Sequence, residues 1–306
     1  MRETYIRVTP AAREHIRAHK ELADEIEWCA HSFIRFLRHW HFVSQEQKRV
    51  MVLGESLWPA QKIAASVMER HERAFFLKAR KLGETTLECA FDGWVALFRD
   101  QNARVHLFSR RDDAAQELLA AVKFGLVRLP WWMQFPVSKS TTHELELFVD
   151  PDDRRLIKAY PTTHDTAVEA TCTHGHVDEW ARMENPRKVW QAIATSMAGS
   201  CHFVTTGKGP TNYTSEYWRH SRAGETGCIP VFIDALQRPD RDEEGLRAVR
   251  RSGRLEAMRL GIPRVHTLHG FHWERYGRWY VWGEAWLARR SSVIHVSAAE
   301  GAECRH

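Results

Sequence analysis

The hydrophobic rhythm of the chain changes several times, and each change predicts an element. Between residues 10 and 40, Ile16, Leu22, Ile26, Phe33, Ile34 and Leu37 recur at roughly helical spacing. VMVLGESLWPAQKIAASVMERHERA then predicts a short strand or hairpin, a turn at Gly54 and a helix with Pro59 near its start. Next comes an alternation. AFFLKAR reads as a strand and ETTLECAFDGWVALF as a helix; ARVHLFS reads as a strand and RDDAAQELLAAVKFGLV as a helix. ELELFV and RLIKAY predict a hairpin across the turn residues DPDD. THGHVDEWA and CHFVTTG predict two more strands, separated by the helix PRKVWQAIATSM. Strands alternating with helices imply an α/β fold whose mainly parallel central sheet is flanked by helices on both faces.

Composition narrows the class without choosing a function. With 306 residues and 43% hydrophobic content the chain can bury a sizeable core. A net charge of +5, not gathered in a tail, permits a polyanionic partner without demonstrating one. The six cysteines form no C-x-x-C pair and no regular spacing, and read as reduced thiols. The charged start of the chain predicts no signal peptide, and no apolar run approaches the ~20 residues of a membrane span, so the expectation is a cytoplasmic protein.

The stretch FFLKARKLGETTL carries the first candidate chemistry. An apolar strand breaks into a basic, glycine-containing turn, and two threonines open a helix. In a G-x-x-x-x-G-K-[ST] loop the backbone N–H groups wrap phosphates, the lysine reaches the β/γ-phosphates and the hydroxyl holds magnesium. Laid over this stretch, the second glycine is Gly83 and the hydroxyl residue is Thr85, but the lysine position holds Glu84. A carboxylate beside a triphosphate is repulsive, so Glu84 must point away if the loop works. Lys78, Arg80 and Lys81 are the cations available from the front of the loop. Taken alone, the stretch reads better as a basic strand–turn–helix corner than as a phosphate loop.

Asp178 and Glu179 change the weighting, because they end a predicted strand downstream of that corner. ATP hydrolysis needs such a pair: an aspartate to support magnesium and a glutamate to align and deprotonate water. The next strand ends in Thr205-Thr206, hydroxyls suited to sensing the phosphate. His174, Gly175 and His176 interrupt a strand in which aliphatics are expected. Cys172, His174 and His176 would line one strand face, but no second ligand group appears at zinc spacing, which favours tolerated polar substitutions over a metal site.

In this order the pieces resemble the ATPase part of a phage terminase large subunit, the motor that packages DNA into a procapsid. LWPAQKIAA resembles the adenine-contacting segment, with Trp58 near the base and Gln61 reading it. FLKARKLGETT resembles a family variant whose lysine sits at the front of the loop. RVHLFSRRDDAAQELL resembles the strand and helix that follow, and RLIKAYPTTHDTAVEATCTHGHVDEWA the approach to the acidic pair. HFVTTGKGPTNYTSEYWRHS resembles the coupling strand, and VFIDALQRPDRDEE the end of the ATPase domain. The resemblance spans roughly residues 31 to 250. It implies a P-loop NTPase fold with a lead-in over residues 1–57, the ATPase domain over 58–250 and a tail over 251–306. It further implies ATP and Mg2+ as cofactors. Lys78, Arg80 and Lys81 would meet the phosphates, Thr85 (or Thr86) and Asp178 the metal, and Glu179 the water, with Thr205 and Thr206 coupling. The implied partners are double-stranded DNA, tracked by basic pairs such as Arg110-Arg111, together with a portal protein, a terminase small subunit and further copies in a ring.

The tail departs from the family. From Ile262 onward there is no aspartate and no lysine, whereas Trp273, Trp279, Trp282 and Trp286 cluster there. Two-metal phosphodiester cleavage needs several convergent carboxylates, so the expectation is no nuclease in this chain. Two alternatives stay open: a non-catalytic prophage remnant that keeps the fold, and a helicase-like DNA-dependent ATPase, disfavoured by the lack of a second motor domain.

Overall fold

The computed structural model describes residues 14–16, 18–161, 171–208, 212–233 and 294–296. Helix α1 spans Lys20–His31 and the short α2 spans Phe33–Phe36. The sequence rhythm predicted one helix here. Ser32 divides it with an extended backbone, and its hydroxyl caps α2 by accepting from the Arg35 N–H at 3.3 Å. The hairpin β1 (His41–Ser44) and β2 (Arg49–Val52) leads through Leu53–Ser56 to α3, Pro59–Arg70.

The alternation then runs as the pattern predicts. Strand β3 is Arg73–Lys78, and α4 is Glu84–Trp94, continued by a π-helical turn over Val95–Arg99. Strand β4 is Arg104–Ser109, and α5 is Asp112–Leu126. After β5 (Val137–Ser140) come the antiparallel partners β6 (Glu144–Asp150) and β7 (Asp153–Pro161). Strand β8 (Cys172–Asp178), α6 (Pro186–Ser196), β9 (Met197–Thr205), α7 (Tyr213–Arg222) and β10 (Ile229–Ile233) follow. Residues Ile294–Val296 form β11, parallel to β10, so the predicted tail contributes an edge strand to the sheet. The tryptophans placed in that tail by sequence lie outside the described residues, as does the end of its predicted domain at residue 250.

Among the described residues the sheet has nine strands in the order β11-β10-β3-β9-β8-β4-β7-β6-β5. It is parallel except where β6 pairs with β7 and β5 with β6. Side chains alternate across it, as pleating requires. Phe76, Val105, Leu107 and Val204 join the core beneath α1 to α5, whereas Phe75, Leu77, Phe108, Val177 and Phe203 join the core beneath α6 and α7. Phe33 of α2 packs edge-on to Phe91 of α4 at 5.0 Å between ring centroids. The Trp94 indole also donates to the Cys29 carbonyl at 2.7 Å. Helix α4 is therefore enclosed, with Leu87 through Trp94 all buried.

Candidate functional site

The carboxyl ends of β3, β9 and β8 lie side by side, which places Lys78, Thr205 and Asp178 at the ends of neighbouring strands. In an open parallel sheet this edge is where ligands bind. Strand β3 ends at Lys78, and the Ala79 N–H donates to the Ile233 carbonyl at 2.9 Å, fixing where the chain leaves the sheet. The turn that follows uses two left-handed residues, Lys81 at φ 59° and Gly83 at φ 73°. Gly83 precedes the first turn of α4 and could not be replaced easily. A Cβ there would sit 2.5 Å from Gln61 Nε2 in addition to the strained φ.

Gln61 itself is buried and braces the loop. Its Nε2 donates to the Leu82 carbonyl at 3.0 Å, and its Oε1 accepts from the Trp58 N–H at 3.0 Å, so it ties the start of α3 to the turn. Trp58 is half-buried at that helix start. Of the three candidate cations, Lys78 is buried whereas Arg80 and Lys81 are exposed. Glu84, Thr85 and Thr86 open α4, where unpaired N–H groups and the helix dipole favour an anion.

Glu84 turns inward. Only 1% of it is exposed, and neither carboxyl oxygen has a hydrogen-bond partner among the described residues. Burial raises its pKa to about 8, against the pull of the neighbouring Lys78. The side chain is thus a neutral acid near pH 7, which removes the repulsion that its sequence position suggested.

The acidic pair meets the loop directly. Thr85 Oγ1 donates to Asp178 Oδ1 at 3.1 Å. Burial pushes the Asp178 carboxyl above its ordinary value, opposed by His176, by Lys78 and by the Thr85 hydrogen bond. Glu179 follows at φ 51°, a left-handed backbone that costs a non-glycine residue strain. Its Oε2 accepts from Thr206 Oγ1 at 3.2 Å and pairs with Arg182 Nε at 2.9 Å. The Ala181 N–H donates to Thr205 Oγ1 at 3.0 Å. The predicted coupling threonines are therefore bonded to the segment carrying the acidic pair. Arg182, which holds Glu179, escaped sequence reasoning; its position three residues after a candidate glutamate was the available signal.

The polar β8 strand also has an explanation that the sequence hid. Cys172 does not join the histidines; its thiol donates to the His174 carbonyl at 2.9 Å. His174 and His176 instead face Glu88 and Asp92, one turn apart on α4, with His202 of β9 beside them. These partners were hidden in the sequence because they lie on a distant helix rather than at a short spacing. All five side chains are fully buried. Burial works against charge on Glu88, yet the charge of His202 and the hydrogen bonds of His174 and His202 hold it below the usual carboxylate range. Burial likewise opposes charge on His174 and His176, but Asp92 and Glu88 raise both, His176 to about 9. His202 stays below its ordinary value, because burial outweighs Glu88 there.

Neither a family model nor a curated protein matches the chain. Solved structures do. The HK97 bacteriophage large terminase matches at 15% identity over 71% of this chain and 46% of that one, with a TM-score of 0.55. The large terminase of a thermophilic bacteriophage, in complex with ADP, matches at 10% identity over 64% and 50%, with a TM-score of 0.50. The ATPase domain of the Thermus phage P74-26 large terminase matches at 14% identity over 69% and 90%, with a TM-score of 0.49. The chain spans about half the length of the first two of these terminases. At such identities the likeness is one of fold: the chain shares the α/β fold, with its mainly parallel central sheet flanked by helices, of the phage large terminases it matches.

Proposed function

We propose that this chain is the ATPase part of a phage terminase large subunit and drives double-stranded DNA into a procapsid. The observation that carries the reading is the Thr85–Asp178 hydrogen bond, which brings a helix-opening hydroxyl and a strand-end carboxylate to one point. A hydroxyl and a carboxylate, both oxygen donors, at the N-terminus of α4 suit Mg2+ and a nucleotide phosphate. Bound there, Mg2+ supplies positive charge against the charge that develops on the phosphates.

The chain's own residues supply the rest. Backbone N–H groups of the Arg80–Gly83 turn and the start of α4 cradle phosphate oxygens, and Lys78 adds a fixed cation from within the fold. Arg80 and Lys81 contribute from the exposed side of the turn. Thr86 stands beside Thr85 as the alternative metal hydroxyl. Gln61 keeps one amide N–H beyond its bond to Leu82, enough to read an adenine edge next to Trp58. Glu179 orients and deprotonates the attacking water. Thr206 holds Glu179, and Thr205 holds Ala181, so β9 carries a change at the phosphate into the acidic segment. Support for a nucleotide comes from the thermophilic-phage terminase solved with ADP. A DNA duplex, a portal protein, a terminase small subunit and a homo-oligomeric ring are the partners this reading implies. No described helix is long and apolar enough to cross a membrane.

Calorimetric titration of ATP with Mg2+, paired with steady-state hydrolysis, tests the proposal. Binding with turnover supports it. Binding without turnover supports the second reading, a remnant that keeps the fold, which the displaced loop lysine favours. No binding at all removes both.

A further inference from the structure

The cluster of Glu88, Asp92, His174 and His202 lies beneath the sheet, starting one turn along α4 from Glu84, and the proposed hydrolysis does not use it. We propose that it is a structural transition-metal site of the zinc class, with Glu88 Oε1, Asp92 Oδ1, His174 Nε2 and His202 Nδ1 as ligands.

Spacing is the first argument. Zinc binds nitrogen and carboxylate oxygen at about 2.0–2.2 Å, so neighbouring ligands of a tetrahedral site stand roughly 3.3–3.5 Å apart. His174 Nε2 lies 3.4 Å from Glu88 Oε1 and 3.3 Å from Asp92 Oδ1. Those distances lie at the long end of the hydrogen-bond range and match tetrahedron edges. His202 Nδ1 lies 2.8 Å from Glu88 Oε1 and must open slightly. Ligand atoms of Glu88, His174 and His202 all fall within 4.8 Å of one another.

The surroundings are the second. A metal-bound imidazole directs its other nitrogen to an acceptor that fixes its tautomer. His174 Nδ1 lies 2.7 Å from Ser200 Oγ, and His202 Nε2 lies 3.4 Å from the His71 carbonyl. The remaining oxygen of Asp92 is held by His176 Nδ1 at 2.8 Å. Asp92 Oδ1 and His174 Nε2, both fully buried, otherwise have no hydrogen-bond partner. Unpaired polar atoms at such depth are costly, and a shared cation satisfies them together.

Charge is the third. Two carboxylates and two neutral imidazoles around a divalent cation sum to zero, which suits a site with no exposure. Two imidazole ligands exclude a Mg2+ or Ca2+ preference. Complete burial leaves no open coordination position, so the role is structural rather than catalytic, and the ion must enter as the chain folds.

The test uses the full chain, untagged, refolded from denaturant with Zn2+ or with a chelator, then measured for metal content and melting temperature. Stoichiometric zinc and a higher Tm in the zinc sample are expected, together with a tetrahedral visible spectrum when Co2+ replaces zinc. Ser200→Ala, which keeps all four ligands, should weaken zinc affinity by about 10–100-fold. His202→Gln should abolish stoichiometric binding; if it does not fold, the Ser200→Ala titration decides. Equal Tm and no retained zinc in both wild-type samples would overturn the site. A thiolate charge-transfer band in the Co2+ spectrum would also overturn it, because it would move the metal to Cys89, Asp92 and His176, the neighbouring buried set.

Discussion

Thr85 and Asp178 stand 93 residues apart in sequence and share a 3.1 Å hydrogen bond between α4 and the end of β8. Strand β9 separates their parent strands β3 and β8 in the sheet, so only the turn after β3 lets the two side chains meet. Asp178→Asn keeps shape but removes the charge that would support Mg2+ in the proposed site. Steady-state ATP hydrolysis should fall by about 100-fold or more, as expected for several kcal/mol of lost charge stabilisation. Thr85→Val should show a loss in the same direction. Undiminished turnover in Asp178→Asn would remove the metal role.

Lys78 is the one buried cation of the three candidates, and its charge acts on both Glu84 and Asp178. Lys78→Ala should abolish hydrolysis, and Lys78→Arg should not restore it, because the larger planar fork does not fit a buried strand end. Arg80→Ala and Lys81→Ala, at exposed positions, should alter turnover far less. The reverse ranking would place the catalytic cation in the turn.

In the proposed reaction Glu179 acts only once the attacking water is in place. Glu179→Gln should therefore leave ATP affinity near wild type by calorimetry while turnover disappears. Thr206→Val removes the hydroxyl that donates to Glu179 and should lower kcat with little change in KM. A mutant that loses binding and turnover together would make Glu179 a structural residue.

The α/β alternation was legible because each strand and helix has its own period, and β3, α4, β4, α5, β8 and β9 appear where the pattern puts them. Strand β5 was missed, since its four residues Val137–Ser140 are exposed and carry no alternation. The edge strand β11 was missed because three residues give no period. Within the site, local juxtapositions such as the loop and the acidic pair could be read from types and order. The direction of Glu84 could not, because nothing local reveals whether a side chain at a helix start turns inward. The partners of His174, His176 and His202 were illegible for a similar reason: Glu88 and Asp92 sit on α4, and only the packing of that helix under β8 and β9 joins them.

His106 faces the opposite side of the sheet, its ring 4.9 Å from that of Tyr160, with neither nitrogen hydrogen-bonded among the described residues. Burial lowers its pKa to about 4, helped by the charges of Lys158 and Arg104. Above pH 6.5 it is neutral folded or unfolded and has no pH effect. As pH falls from 6.5 toward 4, the unfolded chain takes a proton that the folded chain refuses, and stability declines. His106→Phe should melt higher than wild type, by a margin that widens across that window to about 2–3 kcal/mol at pH 4. A margin that does not change with pH would refute the assignment.

Glu84 runs the other way. Its folded pKa is raised to about 8, so below pH 4.5 it is protonated in both states and costs nothing through ionisation. From pH 4.5 to 8 the unfolded chain gives up the proton while the folded chain keeps it, so the folded state is increasingly penalised. Above about 8 the penalty is constant. Glu84→Gln, with the same shape and no charge to lose, should match wild type in acid and exceed it at higher pH. The margin should approach roughly 3–5 kcal/mol at pH 8, since each pKa unit is worth about 1.4 kcal/mol. For nucleotide binding the same residue gives a second readout. Near pH 7 the neutral acid does not repel a phosphate, so wild type and Glu84→Gln should bind ATP alike. Above pH 8 the wild-type carboxylate ionises beside the loop, and its ATP affinity should fall while that of Glu84→Gln holds. Parallel affinity curves for the two proteins across pH 7 to 9 would show that Glu84 stays out of reach of the phosphates in either charge state.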